Sequence, residues 1–328
     1  MAFCGYRTGV ALDHAQRNWD GTGPRPLAWS AWYPCTDTSG AAPTKTFFDP
    51  GDVVQDATVV GSDRLPVVLL SHGTGGSAES LGWIGCALAA EGYVVIGANH
   101  HGNSGVDVRP EGFLCWWDRA ADMSALLSEL AHHGPFANRL DTAAVTVIGF
   151  SLGAYTALAL VGARTAWQRF EAWHAENGTH LEGPRECPDV MQSLPDLMAN
   201  SAVFRASWDR QEADYTDPRV DCVIAIAPPP PVRAFSETSL RDIATPVHLI
   251  TAQLDAEAPT EHGADWLASY NRAFVHHDMG PGVGHYTFLG LPADANLAQQ
   301  IDIFTDLPGI DRADVHASTV RIILNALP

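Results

Sequence analysis

From Leu65 onward the chain sets short apolar runs against helix-length segments. The runs are Leu65–Leu70, Tyr93–Ala98, Val145–Phe150, Cys222–Ala227, Val247–Ala252 and Ala273–His277. Residues that are apolar at successive positions, not at every second one, belong to strands buried on both faces. Between the second and third runs Met123, Leu126, Leu127 and Leu130 recur at helical spacing. Strand and helix alternating in this way predict a mostly parallel central sheet with helices on both faces. Earlier, the aromatic and partly alternating Leu27–Tyr33, with Gly and Pro around it, predicts antiparallel strands at an edge of that sheet.

One interval breaks the rhythm. Arg164–Arg219 is polar and acidic, dotted with Trp167, Phe170, Trp173, Phe204 and Trp208. A structureless loop of that length is out of place in a compact domain. The expected organisation is therefore a core of residues 1–163 and 220–328 with an inserted, mostly helical cap at 164–219, turning at Asn177-Gly178 and Gly183-Pro184. The uncharged stretch Ala143–Ala163 has the length of a membrane-spanning helix. Gly149 and Gly153 inside it break the helical pattern, so it is read as strand, sharp turn and helix, without membrane insertion.

Composition narrows the class. The chain has 328 residues, is 46% hydrophobic and 17% charged, and can bury a large core. Its net charge of -19 opposes nucleic acid and anionic membrane surfaces as partners. The six cysteines form no CxxC pair, which predicts reduced thiols and neither a zinc site nor a disulfide framework; Cys187 and Cys222 could pair only in an oxidising setting. The start of the sequence has no basic segment followed by an apolar one, so a cytoplasmic protein is expected.

The sharpest chemical signal is Gly149-Phe150-Ser151-Leu152-Gly153 between an apolar strand and an apolar helix. A serine in such a tight turn, with glycines two positions away on each side, has the nucleophile-elbow pattern. Upstream, Ser71-His72-Gly73-Thr74-Gly75-Gly76 follows a strand. Its backbone can turn N–H groups toward a developing oxyanion, with Thr74 and Leu152 as the expected donors. The loop lacks the Gly-Lys-Ser/Thr ending of a phosphate loop and the Rossmann spacing. A serine hydroxyl needs a base and the base an orienting acid. His285, in a glycine-rich loop past the last strand, is the expected base. Asp255, after the Val247–Ala252 strand, is the expected acid, with Glu257, Asp278 and Asp221 as rivals. The 14 histidines show no HExxH or comparable ligand spacing, so neither metal nor organic cofactor is expected. His100, just past a strand end, and Trp116 or Trp117 are expected to line a substrate pocket.

Together the Ser71–Gly76 loop, the Gly149–Gly153 elbow, Asp255 and Gly284-His285-Tyr286-Thr287-Phe288 resemble α/β-hydrolases of the dienelactone-hydrolase-like group, itself similar to platelet-activating-factor acetylhydrolases. The resemblance runs from about Tyr6 to Leu289. It implies the α/β-hydrolase fold, Ser151 as nucleophile, His285 as base, Asp255 as acid, and Thr74 with Leu152 as oxyanion donors. Dienelactone hydrolases use cysteine where this chain has Ser151, which argues against dienelactone as substrate. The acetylhydrolases take their acid after the strand following the elbow; here that strand ends in Ala225-Ile226-Ala227-Pro228, without a carboxylate. Thr74 stands where relatives often carry an aliphatic residue. The resulting expectation is a serine esterase acting on a small neutral ester with an apolar part. A lactone, amide or polyester hydrolase with the same triad, or a non-catalytic binding module, are the alternatives.

Overall fold

The computed structural model describes residues 3–36, 47–177 and 183–328. Two long strands, β1 (Phe3–Arg17) and β2 (Pro24–Cys35), precede the short β3 (Val53–Gln55) and β4 (Leu65–Ser71). Then come α1 (Gly82–Ala90), β5 (Val94–Asn99), a small hairpin of β6 (Asn103–Ser104) and β7 (Asp107–Val108), and α2 (Pro110–Leu114). They are followed by α3 (Asp118–His132), β8 (Leu140–Phe150) and α4 (Leu152–Ala159). The polar interval holds α5 (Trp167–Glu176), α6 (Val190–Asn200) and α7 (Ala202–Trp208). The remainder is β9 (Val220–Ile226), α8 (Glu237–Asp242), β10 (Val247–Thr251), α9 (Ala264–Tyr270), β11 (Val275–Asp278), α10 (Ala295–Gln300) and α11 (Arg312–Ala326).

Among the described residues, nine strands form one sheet in the order β11-β10-β9-β8-β4-β5-β2-β1-β3. Only β2 runs against its neighbours; every other pairing in the sheet is parallel. Side chains alternate across the two faces as the pleat requires. In β4, Val67 and Leu69 join one buried cluster while Val68 and Leu70 join the other. The first face is covered by α3 through Met123, Leu126, Leu127 and Leu130, and by α4. The second is covered by α1 through Ile84 and Leu88, and by α11 through Val315 and Ile323. Each such side chain, fully buried, contributes about 1.5–3 kcal/mol, so the face-by-face match of strand and helix fixes the layers.

The helices of the polar interval are anchored to the first face by aromatics. Trp167 and Phe170 pack at 5.3 and 5.1 Å from Trp116, and Trp167 at 5.2 Å from Trp208. The expected turn at Gly183-Pro184 falls just after that pair, at Arg185-Glu186, where Cys187 N–H donates to the Pro184 carbonyl at 2.8 Å. Of the Asn177-Gly178 turn, Gly178 lies outside the described residues. No helix among the described residues is long and apolar enough to cross a membrane. None of the six cysteines is in a disulfide, and Cys187 and Cys222 are not joined. From β4 the chain passes to β5 on one side and then to β8 on the other, which opens a crevice at the carboxyl ends of β4 and β8.

Candidate active site

Ser151 is the single residue between the end of β8 and the first turn of α4. Its backbone sits at φ 53° and ψ -122°, a region costing a non-glycine residue on the order of 1–3 kcal/mol. The surroundings hold it there: Ser151 N–H donates to the Ile226 carbonyl at 2.8 Å, and Ala154 N–H donates to the Ser151 carbonyl at 2.7 Å. The flanking glycines are required by contact. A Cβ on Gly149 would lie 1.9 Å from the Gly153 carbonyl oxygen, and one on Gly153 would lie 1.9 Å from that of Ser71.

Two later loops reach the same place from neighbouring strand ends. His285 opens a short 3-10 turn, His285–Phe288, beyond β11, and its ring lies 4.8 Å from that of Phe150. Its Nδ1 is 2.7 Å from Asp255 Oδ2, and its Nε2 is 3.1 Å from Ser151 Oγ. An ionised carboxylate only accepts, so Nδ1 carries the proton and Nε2 is left to accept from the serine hydroxyl. The other oxygen of Asp255, Oδ1, accepts from Ala258 N–H at 2.6 Å. All three side chains are at least nine-tenths buried. The rivals for the acid are engaged elsewhere. Asp278 accepts from Gln253 at 2.6 Å, Glu257 accepts from Tyr286 Oη at 3.1 Å, and Asp221 lies at the opposite end of β9.

Ser151 and His285 open onto a cavity of about 720 Å³. Thr74 lines it, as do Phe48, Phe150, Tyr286 and Ile303, with Glu186 and Glu257 at its polar side. Burial raises the Glu186 carboxyl above the usual range. Leu152 opens α4, so its N–H is one of the first-turn amides without an intrahelical acceptor, beside Ser151.

Behind the loop that carries Thr74 lies a buried polar network. Arg119 on α3 donates through Nη2 to the His72 carbonyl, and to Ser71 Oγ at 3.3 Å. Ser71 Oγ is 2.9 Å from His100 Nε2, and His100 Nδ1 is 3.4 Å from Asp122, which also binds Arg25 at 2.6 Å. Burial and the nearby Arg119 guanidinium pull the His100 pKa down to about 3, so the ring is neutral. Ser71, His100 and Asp122 thus form a second serine–histidine–aspartate set, but with Ser71 wholly buried no substrate reaches it.

This placement corrects three expectations. His100 does not line the cavity, because its ring points into the core to meet Ser71 and Asp122. Trp117 is wholly buried and donates to the Ser207 carbonyl at 3.0 Å. Trp116 packs under α5, against Trp167 and Phe170. The aromatic wall is instead supplied by Phe48, Phe150 and Tyr286. Tyr286 had a signal in its adjacency to His285; Phe48 and Glu186 come from loops with no pattern to mark them.

The family model described as platelet-activating factor acetylhydrolase, isoform II, matches residues 50–108. That stretch contains β4 and the Ser71–Gly76 loop but none of Ser151, Asp255 and His285. Among solved structures, the ferulic acid esterase from Streptomyces cinnamoneus is similar, with a TM-score of 0.63 at 20% identity over 98% of this chain and 88% of that one. Comparison with curated proteins returned no match.

Proposed function

We propose that this chain, an α/β-hydrolase by fold, is a serine carboxylic-ester hydrolase that works through an acyl-enzyme. The observation that carries the reading is the bridge made by His285 between Asp255, at 2.7 Å, and Ser151, at 3.1 Å, at the wall of an open cavity. His285 Nε2 takes the Ser151 proton as Oγ attacks the ester carbonyl. Asp255 holds the ring in the required tautomer and stabilises the imidazolium that forms. The N–H groups of Thr74 and Leu152 receive the oxyanion; one such donor typically contributes about 100- to 1,000-fold in rate. His285 then protonates the leaving alcohol, and water repeats the sequence to release the acid.

The matched family and the esterase neighbour support ester cleavage over other acyl chemistry. The cavity supports a neutral ester with an apolar part: its walls are aromatic and aliphatic, and its lining sets Glu79, Glu186 and Glu257 against the single guanidinium of Arg185, a balance that disfavours an anionic substrate. Residues 164–219 act in this reading as a cap that sets substrate choice, through Arg185 and Glu186 on the cavity side. The reading is tested by treating the protein with a fluorophosphonate, measuring intact mass, and assaying p-nitrophenyl esters from acetate to octanoate. A single adduct on Ser151 with ester turnover is expected. An unlabelled Ser151 and no turnover across the series would overturn it.

A further inference from the structure

Cys4 and Cys86 lie 82 positions apart and bring their sulfurs to 3.0 Å. Cys4, in β1, is 8% exposed, whereas Cys86, on α1, is half-buried. Their approach follows from how α1 sits on the sheet. Gly85 lets the helix lie directly on Trp32 of β2, where a Cβ would fall 2.4 Å from the indole. Tyr6 of β1 flanks the same indole at 5.4 Å between ring centroids. With helix and strand fixed against one ring, the residue after Gly85 is held beside Cys4.

We propose that Cys4 and Cys86 form a dithiol site that closes to an intrachain disulfide on meeting a small-molecule disulfide. The site is independent of the ester chemistry. A disulfide bond is about 2.0 Å long, so the sulfurs need to approach by about 1 Å. Cys86, half-buried where Cys4 is nearly covered, is the thiol that a small disulfide meets first, and the hydrogen bond to Cys86 and burial both raise the Cys4 pKa. The Cys86 thiolate attacks one sulfur of the small disulfide, forms a mixed disulfide and expels one thiolate. Cys4 loses its proton and attacks Cys86 Sγ, expelling the second thiol. Two protein thiols are oxidised by two electrons, and one small disulfide is reduced to two thiols. The new bond ties β1 to α1, a link that the sheet hydrogen bonds do not supply.

The test uses the full chain, purified with reductant and incubated with oxidised glutathione. It is then unfolded with N-ethylmaleimide, weighed intact and digested without reduction. Expected are a loss of two hydrogens, maleimide on four cysteines, and a peptide joining Cys4 to Cys86. The melting midpoint should rise by several degrees, because a long loop is closed in the unfolded chain. Dithiothreitol should reverse both changes. In Cys86→Ser the bridge and the midpoint shift should vanish while ester turnover stays as it was. Six maleimides after oxidation would overturn the proposal. So would a stable glutathione adduct on Cys86, or a bridge from Cys4 to Cys35.

Discussion

Asp255 and Glu257 are two positions apart, and both carry a carboxylate near the same loop, yet only Asp255 reaches His285 Nδ1. Asp255→Asn should therefore lower kcat by roughly 10⁴-fold, since an amide there can favour the wrong histidine tautomer. Glu257→Gln should stay within a few-fold of the parent in the same ester assay. A reversed outcome would move the acid. Ser151→Ala should remove turnover by roughly five to six orders of magnitude with no fall in the melting midpoint. The placement of Asp255 beside His285 was legible because Asp255 follows a strand whose carboxyl end shares an edge with Ser151. His100 also follows a strand end and was misread. Successive residues there point to opposite sides: Asn99 lines the cavity, while the His100 ring turns inward.

At the scale of elements, the loop after β4 is held from behind by α3. Arg119 donates to the His72 carbonyl, and two further nitrogens of its guanidinium have no partner among the described residues. A buried guanidinium that is only partly satisfied contributes little net stability, so what it supplies is the position of the loop. Arg119→Met should leave the melting midpoint within a few degrees, lower kcat by about 10- to 100-fold through a misplaced oxyanion donor, and change KM little. An unchanged kcat would separate Arg119 from the loop's geometry. Elements buried on both faces were legible: β4, β5, β9 and β10 fall within two residues of their apolar runs. β8 was foreshortened because its first residues, Asp141–Ala144, are partly or fully exposed. The β6–β7 hairpin, with two residues per strand, carries too little periodicity to be read.

Across the whole molecule, neutral buried histidines link folding to pH. Burial pulls His100 down to about 3 and His316 to about 4, and holds His72 well below its ordinary value. An unfolded chain binds protons on these rings below about pH 6.5, while the folded chain does not. The unfolded state then carries more protons, so stability is full above that pH and is lost as pH falls toward 3–4. Asp118 and Glu186, raised by burial, act in the opposite sense. The three histidines should prevail, and melting midpoints should drop steadily from pH 7 to pH 4. His316→Gln should flatten part of that slope, since His316 uses Nε2 on the Thr287 carbonyl at 2.9 Å and stacks on Trp83 at 3.8 Å. A slope unchanged in His316→Gln would remove that ring from the account.

The left-handed backbone of Ser151 has an evolutionary consequence. Glycine adopts φ 53° without the penalty a side chain incurs, so Ser151→Gly should melt higher than Ser151→Ala. If the proposed hydrolysis is this chain's activity, a gene copy released from selection for it would meet no folding barrier to losing this serine. Such a descendant would keep the sheet, the cavity, the histidine and the aspartate, and would pass for an enzyme in every feature but the one atom that the proposed reading makes the attacking one.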